Sequence, residues 1–193
     1  MIGKLMKNET LEIILNRRSA RKFRDEQIGS DSLETIIQAG LFAPSAMNQQ
    51  SWHFTVIQNK EILDEINTRS KKYSQSSGIP YLVEKTAPDA FHVFYHAPTV
   101  IVVSGSKESY SPLVDCAAAI QNMLIAAESL GISTCWIGIP RHFFNSEEGK
   151  EYIKKLEIPE GYEANYCVAL GYRVANNPAA APGRKDNSVN YIK

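Results

Sequence analysis

Leu113-Val-Asp-Cys-Ala-Ala-Ala-Ile-Gln-Asn-Met-Leu-Ile-Ala-Ala-Glu-Ser-Leu130, with Gly131 directly after it, is the strongest helical segment of the chain. Apolar and small residues go almost all the way round it, including Cys116 to Ile120 and Met123 to Ala127. A surface helix carries one apolar stripe; a helix apolar on every side is covered on every side, by a core or by a partner subunit. Gly131 supplies the left-handed residue that stops it. Just upstream, Thr99-Val-Ile-Val-Val-Ser104 is a continuous apolar run, which predicts a strand covered on both faces. Downstream, Ile132–Ile139 reads as a strand, Ser146–Leu156 as a helix and Tyr166–Leu170 as a last strand.

Toward the N-terminus, Trp52–Ile57 alternates and is β-rich, which predicts a strand, and Asn59 caps a helix through Ile62, Leu63 and Ile66. Leu11–Arg18 predicts a short helix with Leu11, Ile14 and Leu15 on one face. Asp31, with Glu34 three residues on, predicts the N-cap of another, which runs through Leu33, Ile36, Ile37 and Leu41 and ends at Pro44. Ser70–Asp89 is polar and punctuated by Gly78, Pro80 and Pro88, so it reads as a mobile loop or lid. With no repeat and no dividing linker, this order gives one α+β domain over residues 1–193: a mixed sheet of about four strands covered by helices.

The chain has 21 basic and 21 acidic residues, so no bulk field points to nucleic acid, a membrane surface or a strongly charged substrate. Met1–Asn8 lacks the apolar core of a signal peptide, and no stretch approaches the roughly 18 apolar residues of a membrane span. The expected location is the cytoplasm. Cys116, Cys135 and Cys167 form no Cys-x-x-Cys pair, and the four histidines show no His-Glu-x-x-His spacing. No metal site is expected, and the cysteines read as buried small hydrophobes.

Against that neutral background, Arg17-Arg-Ser-Ala-Arg-Lys-Phe-Arg24 packs five cations into eight residues. A focused cluster on a neutral chain suits one compact anion rather than a long polyanion. Arg17, Arg18 and Arg21 offer forked, permanently charged donors, each phosphate contact contributing roughly 1.5–3 kcal/mol, and Ser19 adds a hydroxyl between them. No two glycines are separated by a single residue, so a G-x-G-x-x-G fingerprint is absent, as are Walker A and G-x-S-x-G sequences. Any bound phosphate must therefore be held by side-chain cations. Alone, the cluster also fits a solvated helix end whose cations complement the dipole. Further on, Ala43-Pro-Ser-Ala-Met-Asn-Gln-Gln-Ser-Trp52 stops a helix and supplies neutral hydroxyl and amide groups suited to the edge of a flat heteroaromatic ring. Alone, it also fits an ordinary polar turn.

Taken together, Arg17-Arg18-Ser19-x-Arg21-x-Phe23 and Ala43-Pro44-Ser45-x-x-Asn48-x-Gln50-x-Trp52 resemble the FMN-dependent nitroreductase family in order and spacing. The likeness continues through Asp115–Asn122, Ala126-Ala127-x-x-Leu130-Gly131, Trp136-Ile137-Gly138, Ala169–Tyr172 and Arg184-Lys185, almost the whole chain. Ser51 departs from it, since the family usually has proline there. This is expected to loosen the turn while removing no contact group. The 70–90 segment matches no family pattern.

The resemblance implies a homodimeric flavoprotein oxidoreductase. NADH or NADPH would reduce FMN at N5 and leave, and a small electron-poor acceptor such as a nitroaromatic or quinone would then enter the same cleft. It implies that Arg17, Arg18, Ser19 and Arg21 bind the FMN phosphate and ribityl chain, with Arg184 or Lys185 closing over the phosphate. Pro44, Ser45 and Asn48 would come from the other subunit, and the Ile137-Gly138 backbone would approach the flavin near N5. Asp115 falls where the family often has an interface polar residue, and the Leu113–Leu130 helix becomes the dimer core. The cofactor carries the chemistry, so no catalytic side chain is expected. The same fold also hosts flavin cleavage, reductive dehalogenation and azoline dehydrogenation, and a non-catalytic reading makes the arginines a docking patch for an anionic partner.

Overall fold

The computed structural model describes residues 6–174 and 180–192; Met1–Leu5, part of the segment read for a leader, lie outside them. The elements run α1 (Glu9–Asn16), α2 (Ser30–Leu41), a single 3-10 turn (Ala46–Asn48), β1 (Trp52–Ile57), α3 (Lys60–Gln75) and α4 (Pro80–Thr86). They continue as β2 (Thr99–Ser106), α5 (Pro112–Ser129), β3 (Ser133–Ile137), α6 (Arg141–Phe144), α7 (Glu147–Lys155) and β4 (Tyr162–Gly171). The strands form one sheet in the order β1-β2-β4-β3. All three pairings are antiparallel, where a mixed sheet was expected. Parallel pairing occurs at an isolated bridge between Ser19 and Thr134.

β2 shows why its sequence is apolar without alternation. Val100 and Val102 face one cluster, with Leu63, Ile66, Phe143 and Tyr152. Ile101 and Val103 face the other, with Ile36, Ile120 and Met123. Successive side chains point to opposite faces, so a strand covered twice must be apolar at every position. Burying each such side chain contributes about 1.5–3 kcal/mol.

α5 lies against all four strands, with α2 packed on it. Asn122 Nδ2 donates to the carbonyl of Ala39 at 3.0 Å across that contact. Gly131, at φ +73°, ends the helix as the sequence requires. Burial is not complete all round, however. Cys116, Ala119, Ile120, Met123, Leu124 and Ala127 are buried, but Leu113 and Val114 are exposed and Ala117, Ala118 and Ile125 only partly covered. One stripe of the helix is thus left incompletely covered by the described residues.

Other differences have local causes. Asp31 sits inside the first turn of α2, where its charge suits the dipole, and Gly29 holds the cap position without a side-chain bond. Asn59 does cap α3, its Oδ1 accepting from the Ile62 amide at 3.0 Å. The expected 70–89 lid is largely helical. Ser70 and Ser74 continue the buried stripe of Leu63 and Ile66 to the end of α3, and Pro80 occupies the first turn of α4, where a missing N–H is no loss. Gln75 Nε2 ties the two helices together, donating to Val83 O at 2.9 Å and Thr86 Oγ1 at 2.8 Å. α1 forms as expected, but Leu11, Ile14 and Leu15 are exposed, and no residue of α1 is buried.

Candidate functional site

The cation segment is fastened to the free edge of the sheet. β3 is an edge strand, and Ser19 bridges to Thr134 while Ala20 N donates to Thr134 O at 2.8 Å. A few residues on, Phe23 bridges Arg173, and Arg24 N donates to Tyr172 O at 2.8 Å, so the segment follows the sheet border. Arg17 ends α1. Arg18 Nη1 donates to the carbonyls of Leu15 and Arg17, both at 2.7 Å, so part of that guanidinium caps the helix.

Two buried guanidinium nitrogens, Arg17 Nη1 and Arg18 Nε, have no hydrogen-bond partner among the described residues. Buried cationic donors are costly to leave unpaired. Their placement beside Ser19 fits an anion carrying several acceptor oxygens, as a phosphate ester does.

Arg21 is exposed, and it borders Tyr95 and Cys135. Burial raises the Cys135 thiol above its ordinary value, while the charges of Arg21 and Arg17 and a bond with Ser19 oppose the rise. Burial likewise raises Tyr95, with Arg21 opposing. Arg17, Ser19, Arg21, Cys135 and Tyr95 therefore share one locality. At the far end of β3, Ile137 is buried and Gly138 exposed. A Cβ built on Gly138 would meet only Tyr166 Cδ1, at 4.0 Å, so the backbone there faces open space.

The second segment forms a tight loop at the other end of α5. Ser45 Oγ accepts from Gln50 N at 2.9 Å, and Asn48 Oδ1 accepts from Gln50 Nε2 at 3.2 Å. Pro44 is exposed. Ser51 is buried and tightens the loop, against the loosening expected of it: its hydroxyl donates to Asp115 Oδ2 at 2.7 Å. Asp115 Oδ1 also accepts from Ala46 N at 2.9 Å.

The arginine cluster belongs to the opposite end of that helix. Next to Thr134, Ser133 Oγ accepts from Arg173 Nε at 2.6 Å, and Arg173 Nη2 donates to Glu128 Oε1 at 2.8 Å. From Asp115 to Glu128 is thirteen residues at about 1.5 Å each, or about 20 Å. One chain thus keeps its two signatures well apart. Arg184 and Lys185 lie in an exposed tail, where Arg184 Nη1 donates to the neighbouring Pro182 O at 2.8 Å.

Sequence reasoning missed Tyr95 and Cys135. Tyr95 and His96 sit consecutively in the left-handed region, at φ +54° and +57°, with no glycine or asparagine to announce it. His92 anchors their turn: its Nδ1 accepts from Phe94 N at 3.2 Å, and its Nε2 lies 3.3 Å from Asp64 Oδ1. Cys135 is marked only by its place one residue after Thr134 on the edge strand.

An antiparallel sheet between two helical layers, with an arginine cluster fastened along its edge strand, places the chain in the α+β class. Residues 14–172 match the Nitroreductase family, and the chain belongs to that family. A nitroreductase of Bacteroides fragilis with bound FMN is 36% identical and superposes with a TM-score of 0.89 over 97% of this chain and 100% of its own. A provisionally named NADH dehydrogenase/NAD(P)H nitroreductase of Archaeoglobus fulgidus is 35% identical over 169 residues, 85% of each chain. An FMN reductase [NAD(P)H] of Bacillus subtilis is 28% identical over 193 residues, covering 92% of this chain and 69% of that protein.

Proposed function

We propose that this protein is a homodimeric, FMN-dependent oxidoreductase that carries hydride from NADH or NADPH to a small electron-poor acceptor, a nitroaromatic or quinone. Membership of the Nitroreductase family and likeness to an FMN-bound nitroreductase and an NAD(P)H-dependent FMN reductase support the reaction class. Within this chain, the observation that carries the cofactor is the pair of buried, unpartnered nitrogens on Arg17 and Arg18.

FMN, when bound, supplies reversible hydride uptake, so the side chains need only bind and orient. Arg17, Arg18, Ser19 and Arg21 hold the phosphate end, and Arg184 or Lys185 of the tail adds charge there. Ile137 and Gly138 leave backbone open to the ring edge. Pro44, Ser45 and Asn48 come from a second copy of the chain. The roughly 20 Å of α5 from Asp115 at the loop to Glu128 at the cluster's end supports this, because a twofold axis beside α5 brings one copy's cluster toward the other's loop. The uncovered stripe of Leu113 and Val114, with exposed Leu11, Ile14, Leu15, Phe42 and Met47, supplies apolar surface for that contact. Among the described residues no helix is long and apolar enough to cross a membrane. Residues 1–193 are taken as one domain working in the cytoplasm.

The test is purification followed by mass analysis of the released cofactor and nucleotide oxidation with a panel of quinones and nitroaromatics. FMN with NAD(P)H-driven acceptor reduction is the expected result. A colourless protein that takes up no flavin, or one releasing FAD, overturns the reading.

A further inference from the structure

Asp115 is 2% exposed, and both its carboxylate oxygens are used, one by Ala46 N and one by Ser51 Oγ. Those two residues bracket a loop of unusual backbone. Met47, Asn48 and Gln50 have φ of +52°, +55° and +47°, a region disfavoured for any residue with a Cβ. Two further struts close the loop: Gln50 N to Ser45 Oγ, and Tyr110 N to Gln49 Oε1, each 2.9 Å. Strained backbone persists only where surroundings over-determine it, and it gathers where a ligand is held. The two carboxylate oxygens let Asp115 accept from a backbone amide and a hydroxyl at once in a buried place.

We propose that Asp115 is a positioning residue that, with Ser51, holds the Ala46–Ser51 loop in the strained shape required to receive the flavin bound by the second copy. The inference rests on the reading that Ser45 and Asn48 contact FMN. Without the carboxylate, two donors lose their partner and the left-handed residues relax. The loop then spends less time in its receiving shape, and apparent affinity falls by that fraction.

FMN is titrated into apo-dimers of Asp115→Ala, Asp115→Asn, Ser51→Ala and the Asp115→Ala/Ser51→Ala double variant, with Arg21→Ala as control. Dissociation constant, visible bands of the bound flavin and apo-protein Tm are followed. Asp115→Ala raises Kd about tenfold and shifts the ring bands, as expected for a lost charged hydrogen bond. Ser51→Ala raises Kd about threefold or more, and the double variant binds no worse than Asp115→Ala, because the two groups act through one contact. Asp115→Asn recovers most of the affinity, since its amide can accept from Ala46 N and donate to Ser51 Oγ.

A lower Tm with Kd and bands at wild-type values in both Asp115→Ala and Ser51→Ala, while Arg21→Ala still weakens binding, overturns the proposal. If Asp115→Ala does not fold, Ser51→Ala decides by the same two readouts. An Arg21→Ala variant that binds FMN normally overturns the flavin-site reading instead.

Discussion

Ser19 and Thr134 pair in an isolated parallel bridge, which fixes the cation segment to the edge strand β3 before any ligand arrives. The backbone around Arg17, Arg18 and Arg21 is thus ordered by the sheet, and less ordering entropy remains to be lost on binding. Thr134 itself is fully buried and its Oγ1 has no partner among the described residues, a third such polar atom in this locality after Arg17 Nη1 and Arg18 Nε.

Arg17→Ala should therefore weaken FMN by about 1.5–3 kcal/mol, one to two orders of magnitude in Kd. Riboflavin, which lacks the phosphate, should bind both proteins alike. Fluorescence titration with the two flavins separates the effects. Equal losses for both would mean that Arg17 does not address the phosphate. Arg18→Ala should in addition lower the Tm of the apo-protein, because Arg18 Nη1 also caps the end of α1.

Gly149→Ala separates packing from propensity. In a helix interior alanine is favoured over glycine by about 1 kcal/mol. In the first turn of α7, however, a Cβ would stand inside contact distance of the carbonyl oxygens of Phe143 and Phe144. Those atoms are backbone and cannot swing aside. The variant should lose about 1–3 kcal/mol, as overpacked sites do, despite the better helix former. Urea unfolding measures the sign, and a gain in stability would refute the argument.

What could be read ahead of the structure was what depends on local pattern. Alternation in Trp52–Ile57, the unbroken run beginning at Thr99 and the Gly131 stop follow from burial and backbone preference within a few residues. The 70–89 helices escaped because the end of α3 buries serines and the short α4 buries one large apolar side chain, Leu82, beside Thr86. Ser70 and Ser74 occupy core positions with hydroxyls that find no partner, and no hydrophobic period marks them. At the site, cation density is visible in Arg17–Arg24, but its attachment to β3 depends on the pairing of Ser19 with Thr134, 115 residues further along the chain. Ser51 and Asp115 are ordinary polar residues in sequence, and only folding brings hydroxyl to carboxylate.

Stability should fall as the medium is acidified below about pH 6.5, and His92 is one reason. Burial lowers its pKa from the ordinary 6.5, aided by the nearby His96, while the bond to Asp64 opposes the shift. The unfolded chain then binds the proton more readily than the folded one. The contribution is fully present above 6.5 and is lost as pH drops through the lower folded value. His92→Gln should be less stable at pH 8, having lost a bond to the Phe94 amide, yet show a flatter decline from pH 7 to 5. His53, also lowered by burial, keeps part of the slope. Denaturation midpoints across that range test it; an unchanged slope would remove His92 from the account.

If each flavin site draws its arginines from one copy and Asn48 from the other, two defective variants should rescue each other. Arg21→Ala damages the phosphate end and Asn48→Ala the loop, which lie toward opposite ends of α5 within a chain. In a mixed dimer, one site collects both lesions and the other has neither. Unfolding the two variants together and refolding them should yield dimers of which about half are mixed, with one intact site in each. High-affinity FMN binding should then reappear at about a quarter of all sites, while either variant refolded alone shows none. Sites built within a single chain would give no such recovery. A flavin-loaded monomer, active at high dilution, would exclude the shared site altogether.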